Sequence, residues 1–77
     1  MKPVILTSHA QDRLKERSIT KNQIIEVIKN PDISCQTQHK RRKRVMKTLN
    51  NNTIDVIIEE REKYILVVTC VILQKEA

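Results

Sequence analysis

The 77-residue chain contains no glycine, no tryptophan and no phenylalanine, and it has a single tyrosine, Tyr64. Without glycine the chain cannot carry the usual glycine-rich loops that cradle the phosphates of nucleotides. Because aromatic rings are nearly missing, the chain also lacks the platforms on which most sequence-specific RNA readers stack unpaired bases. Contact with the backbone of a nucleic acid remains open.

Cysteine and long hydrophobic runs are scarce as well. Cys35 and Cys70 are the two cysteines, and one widely spaced pair is neither a disulfide framework nor a paired metal motif. The apolar run Val4–Leu6 is too short for a signal peptide, and no segment approaches the length that spans a bilayer. We therefore expect a soluble cytoplasmic protein with no membrane partner, no metal and no cofactor.

Positive charge predominates among the residues that are present. Fifteen Lys and Arg stand against nine Asp and Glu, giving a formal net charge of +6. Such an excess attracts a polyanionic partner over long range, although an acidic protein or a merely solvated basic surface are alternatives. A chain of this length buries only about 60% of its unfolded surface, so we expect a single domain, residues 1–77, with one aliphatic core.

The first half of the chain shows two helical patterns. Ser8 and Thr20 are each followed three positions later by glutamine, as in a capping box, which predicts helices at Ser8–Arg17 and roughly at Lys21–Asn30. The second helix has the broader apolar face, and Pro31 ends it.

After Pro31 the hydrophobic period changes to two, which is typical of strands. The pattern predicts strands at Lys43–Leu49, Ile54–Glu60 and Tyr64–Leu73, with further short strands near Ile33 and at Val4–Leu6. A hairpin is expected at residues 50–53 because asparagine tolerates positive φ. The last strand is apolar on both faces, which predicts a central or well-covered position. The predicted fold class is α+β, with two N-terminal helices packed on a three- to four-stranded antiparallel sheet.

Three polar side chains recur at four-residue steps in the first helix, namely His9, Arg13 and Arg17. As a catalytic site, His9 near the positive end of the helix dipole would be the acid or base, and the two guanidinium groups would clamp a phosphate. The alternative is a structural one, in which the arginines pair with Asp55 or Glu59 of the middle strand, or with Glu16 of the same helix.

The densest charge is the run "HKRRKR", His39–Arg44, at the entrance to a strand. It is typical of a phosphate-binding edge. The predicted nucleic-acid-binding residues are Lys40, Arg41, Arg42, Lys43, Arg44 and Lys47. As an alternative, Lys and Arg on an edge strand prevent sheets from aggregating edge to edge.

The stretch "HAQDRLKERSI", His9–Ile19, resembles the opening signature of a small bacterial family known as domain of unknown function 4258. The later stretches "IIEVIKNPD" and "VVTCV" lie where that family has its second helix and its last strand. Such domains are similar to the RelE/ParE toxin superfamily and to related cytotoxic ribonuclease domains. The resemblance implies two N-terminal helices on an antiparallel sheet. It also implies that His9, Arg13 and Arg17 are recurrent polar positions, joined by Thr69 on the last strand.

The chain departs from the family pattern at two positions. Ser18 replaces the usual glycine between the helices, and Val71 stands where an aromatic residue often follows the late threonine. A strand tyrosine is therefore missing as an acid or base. We expect a toxin-like protein that binds or cleaves RNA without a metal, with RNA and an antitoxin-like protein as candidate partners. The alternative is a non-catalytic basic module that binds nucleic acid or an acidic antitoxin-like protein.

Overall fold

The computed structural model describes residues 2–74, in which two helices and a five-stranded sheet form a mixed α+β architecture. In chain order the elements are β1 (Val4–Leu6), α1 (Ser8–Arg17), α2 (Lys21–Lys29), β2 (Ile33–Gln36), β3 (Arg42–Leu49), β4 (Asn52–Glu60) and β5 (Ile65–Gln74). The strands lie in the order β1-β5-β4-β3-β2. The predicted α+β class is confirmed.

The sheet itself differs from the three- to four-stranded antiparallel sheet that the sequence predicts. It has five strands, and β1 pairs with β5 in parallel, while the other three pairs are antiparallel. Backbone hydrogen bonds hold β1 at the edge: Ile65 donates to Pro3 at 2.9 Å and Thr7 donates to Val67 at 3.2 Å. A three-residue apolar run has too little periodicity to predict such a pairing.

Thr7, rather than Ser8, caps α1. Its backbone is extended, and its hydroxyl oxygen accepts from the N–H of Ala10 at 3.1 Å. The same hydroxyl donates to the carbonyl of Val68 in β5 at 2.9 Å. The capping box predicted at Ser8 is therefore wrong, because the neighbouring threonine satisfies the helix end and also ties it to the sheet.

The capping box predicted for α2 is confirmed. The N–H of Gln23 donates to the Thr20 hydroxyl at 3.2 Å, and the Gln23 side chain accepts from the Thr20 N–H at 2.9 Å. The asparagine turn is confirmed too, since Asn50 and Asn51 have φ of 51° and 68°. Both features depend on local hydrogen bonding and backbone preference, which a single sequence displays directly.

The corner between the helices passes through Ser18, which has the left-handed backbone φ 56° and ψ 40°. Its N–H satisfies the carbonyls of Leu14 and Lys15 at the end of α1. A residue with a Cβ is strained in this conformation, whereas glycine is not.

Replacing Ser18 with glycine is expected to raise the free energy of unfolding by about 0.5–1 kcal/mol. Relief of the left-handed strain should exceed the entropy that glycine adds to the unfolded chain. Urea unfolding followed by circular dichroism measures the change. The control is Ser8→Gly in the first turn of α1, which adds the entropy without relieving strain and should destabilise. An equal loss of stability in both variants would contradict the argument.

Both helices pack on the same face of the sheet, and the core lies between the helices and the sheet. Its largest fully buried side chains are Ile24, Val27, Ile54, Val56, Val67 and Cys70. From α1 the core receives the thin stripe of Ala10 and Leu14. Within residues 2–74 the opposite face of the sheet carries no helix. None of the helices in this part of the chain is long and apolar enough to cross a membrane.

Candidate functional site

The basic run forms the turn between β2 and β3, and side chains rather than glycine fix its shape. The Thr37 hydroxyl accepts from the N–H of His39 at 3.1 Å and contacts the carbonyl of Arg42 at 3.1 Å. The Gln36 amide donates to the carbonyls of Lys40 and Arg42, both at 3.1 Å. These hydrogen bonds satisfy backbone groups within the turn. The basic side chains are left on its outside.

A cleft of about 480 Å³ lies beside this turn, on the face of the sheet that the helices cover. Its floor is apolar and comes from three adjacent strands, through Val45, Ile58 and Ile65. The end of α2 closes one side with Ile28 and Pro31. The cleft is therefore built from the rigid sheet and the end of a helix.

The rim of the cleft is strongly basic. It carries Lys40, Arg41, Arg42 and Lys43, with Glu60 as the single acidic residue. Among residues 2–74 no carboxylate lies within salt-bridge distance of Lys40, Arg41 or Lys43. Unpaired cations around an apolar floor suit an extended anion, because phosphate oxygens accept strong charge-assisted hydrogen bonds from them.

The other two predicted binding residues point elsewhere. Arg44 lies on the uncovered face, where its Nε donates to Asp55 at 2.7 Å and its Nη2 contacts the same oxygen. This hydrogen bond, together with the charge of Asp55, raises the pKa of Arg44 above its ordinary value. Lys47 donates to the carbonyl of Asn30 at 2.8 Å and lies 3.8 Å from Asp32, so it caps the end of α2. Four of the six predicted residues thus line the cleft.

The helical stripe is placed as its spacing predicts, along one flank of α1. His9 and Arg17 are exposed, and Arg13 is half-buried. The Arg13 guanidinium lies 3.9 Å from Glu16 one turn later, a distance typical of a weak surface ion pair. The stripe is accessible to solvent, and its three residues line neither the basic cleft nor the second cleft, of about 420 Å³, between β1 and α1.

The two middle-strand carboxylates have partners other than the stripe. Asp55 pairs with Arg44, and Glu59 accepts from Arg61 at 3.0 Å. The hydrogen bond from Arg61 lowers the pKa of Glu59, and the charges of Arg61, Arg42 and His39 act in the same direction against the opposing effect of burial. Pairing of the helical arginines with Asp55 or Glu59 is therefore wrong, since these carboxylates lie on the face away from α1. Of the structural alternative, the pairing with Glu16 is the part that the structure shows, at Arg13.

Thr69 is also remote from the stripe. It is paired with Ile57 of β4 and so lies on the uncovered face of the sheet. The next residue, Cys70, points into the core, where burial raises the pKa of its thiol and the charge of Arg13 acts in the opposite direction. Arg13 thus approaches the covered face of β5, and the structure does not bring Thr69 together with His9.

The sequence did not predict the cluster in which Glu59 pairs with Arg61 and lies opposite Arg42 of β3, with the charge of His39 acting on it as well. The available signal was the period-two alternation, which places Glu59 and the residue two positions later on the same side of a strand. For residues 2–74, the structure shows no group of three His, Cys, Asp or Glu side chains that could hold a metal ion.

Comparison with known proteins identifies a family whose model matches most of the chain. The family model described as domain of unknown function (DUF4258) matches residues 6–72, which include both helices and nearly all of the sheet. No curated protein and no solved structure gives a significant match to the chain. The match agrees with the resemblance carried by the signature at His9–Ile19.

Proposed function

The chain belongs to the family described as domain of unknown function (DUF4258), and from that premise we propose that it binds the phosphodiester backbone of RNA in the basic cleft. The observation that carries the proposal is the unpaired group Lys40, Arg41 and Lys43 on the rim. Together with the excess positive charge of the whole chain, this group attracts a polyanion and then contacts its phosphates.

The shape of the cleft supports backbone contact rather than base reading. Its floor of Val45, Ile58 and Ile65 is aliphatic, and its lining includes no aromatic ring on which a base could stack. The sequence preference should therefore be weak. We also propose that the protein is RelE/ParE-like, toxin-like and cytoplasmic, as its sequence leads us to expect.

Neutralising two rim cations tests the proposal. In Arg41→Gln/Lys43→Gln, affinity for a labelled single-stranded RNA oligonucleotide is expected to fall on the order of tenfold or more, because two phosphate contacts are lost. The measurement is fluorescence anisotropy, repeated with DNA of the same sequence, since the two share the phosphodiester backbone.

The matched control is Lys15→Gln/Lys21→Gln, which removes the same two charges from exposed positions on the two helices. It should lose little affinity, because the net charge changes equally but the cleft stays intact. If both variants weaken RNA binding equally, attraction is a property of the total charge and the cleft is not the site.

The same RNA distinguishes binding from cleavage. We propose a non-catalytic module as the main function, since His9, Arg13 and Arg17 lie on an open helix flank and Thr69 lies on the other side of the sheet. Intact RNA after prolonged incubation with the purified protein is expected. Cleavage that His9→Ala abolishes and Arg41→Gln/Lys43→Gln retains would overturn this and make the stripe the functional site.

A further inference from the structure

The uncovered face of the sheet carries an apolar strip. Along β5 the strip consists of Leu66, Val71 and Leu73, and β1 adds Ile5 beside Leu66. Ile5, Val71 and Leu73 are 46%, 48% and 49% exposed and lie on one face of the adjacent strands β1 and β5, while Ile33, 53% exposed, lies on the same face at the far edge. From Leu66 to Leu73 the strip is about 23 Å long at the usual rise of a strand.

The sequence of β5 has the pattern of a strand covered on both faces. The structure places β5 in the interior of the sheet, between β1 and β4, and its covered face contributes Val67 and Cys70 to the core. The other face carries Leu66, Val71 and Leu73, with Thr69 among them, and has no layer above it in residues 2–74. A strand of this kind is typical of a position with a cover on each side, and within residues 2–74 no element supplies the second cover.

The polar groups beside the strip are incompletely satisfied. In residues 2–74 three buried side-chain atoms lack a hydrogen-bond partner, and all belong to the side chains gathered on β3 and β4 at this face: Arg42 Nε, Asp55 Oδ1 and Arg61 Nε. Two of the three are N–H donors that need an acceptor. Buried groups without a protein partner are uncommon, and the two N–H groups on this surface are free to donate to acceptors of a partner.

The charge of the face favours an acidic occupant. Three guanidinium groups, Arg42, Arg44 and Arg61, stand against the two carboxylates Asp55 and Glu59, which leaves one positive charge in excess. Two copies of the chain would bring like charge against like charge, whereas a partner with carboxylates would complement it. The guanidinium N–H groups that lack a partner also require an acceptor such as a carboxylate.

We propose that this face docks an acidic amphipathic helix of a partner protein. Its aliphatic side chains pack along the β5 strip, and its carboxylates reach Arg42, Arg44 and Arg61. At 1.5 Å per residue, about 15 residues of helix cover the strip. The docking face lies on the opposite side of the sheet from the basic cleft, and Arg42 borders both surfaces. The two proposals are tested by variants at other residues, so failure of one is distinguishable from failure of the other.

A designed peptide of about 16 residues is the probe, with leucine at i, i+3, i+4 and i+7 spacing and glutamate elsewhere. One control peptide keeps the leucines and replaces glutamate with lysine, and a second keeps the glutamates and replaces leucine with serine. Labelled peptides are titrated with the protein by fluorescence anisotropy. The leucine–glutamate peptide is expected to bind at least about tenfold more tightly than either control.

The test variant is Val71→Thr/Leu73→Thr, because threonine keeps the strand preference and both positions are half exposed. Affinity for the leucine–glutamate peptide is expected to fall about tenfold or more, with little change in thermal unfolding. The charge control Arg41→Gln/Lys43→Gln, in the cleft, should retain most of the peptide affinity and lose affinity for RNA.

Several results would overturn the proposal. Equal binding of the lysine peptide would show that charge complementarity does not determine binding. Undiminished binding by Val71→Thr/Leu73→Thr would show that the peptide does not pack on the apolar strip. Sedimentation showing a dimer that the same variant dissociates would make the occupant a second copy of the chain. Loss of RNA binding in that variant, without loss of peptide binding, would assign the face to nucleic acid.

Discussion

Ile24→Ala is expected to bring the protein to the limit of its stability. Ile24 is fully buried at the centre of the core between α2 and the sheet, and truncating such a side chain costs about 2–5 kcal/mol. A domain of this length has about 4–12 kcal/mol of total stability, at roughly 0.05–0.15 kcal/mol per residue. Because protein interiors are densely packed, the neighbouring side chains close the resulting cavity only in part. Urea unfolding followed by far-ultraviolet circular dichroism measures the loss.

The neighbouring residue provides the control. Ile25 is half-buried and packs against the edge of the same core, so Ile25→Ala keeps the chemistry and the helix while leaving a smaller cavity. Its loss of stability is expected to be about half that of Ile24→Ala or less. Similar losses in the two variants would show that α2 docks with a different face from the one assigned here.

Features governed by short-range rules follow from the sequence. The Thr20 capping box, the asparagine turn and the alternation of β4 depend on hydrogen bonds or backbone preferences within a few residues. The parallel edge strand β1 does not, because its partner lies about sixty residues away and its three apolar residues fit several environments. Thr7 caps α1 in place of Ser8 for a related reason: its hydroxyl also bonds the distant carbonyl of Val68.

The candidate site likewise has features that the sequence predicts and features that depend on distant residues. The run at residues 39–44 is recognisable as basic, but alternation sends adjacent residues to opposite faces of the sheet, with Lys43 toward the cleft and Arg44 toward Asp55. The sequence could not tell which of these cations remain unpaired, since their partners come from other elements. Lys47 illustrates this, because the end of α2 takes its amino group.

The largest functional effect should be the response of RNA binding to salt. Three rim cations, Lys40, Arg41 and Lys43, are unpaired within residues 2–74. On a single strand the slope of log affinity against log salt is about −0.7 for each neutralised phosphate. Three contacts therefore give a slope of about −2.1, so that a tenfold rise in salt should weaken RNA binding about a hundredfold. Anisotropy titrations at several salt concentrations give the slope.

The variants separate the two surfaces in this measurement. Arg41→Gln/Lys43→Gln should reduce the magnitude of the slope by about 1.4, the value for two phosphates, whereas Lys15→Gln/Lys21→Gln should leave it nearly unchanged. Binding of the leucine–glutamate peptide should also weaken with salt, because its carboxylate contacts are screened, but less steeply, because its aliphatic contacts with Val71 and Leu73 are not. An unchanged slope for RNA in the cleft variant would show that the phosphates lie elsewhere. The next candidate site is the helix flank that carries His9, Arg13 and Arg17. Charge reversal at Arg17 would then alter the slope.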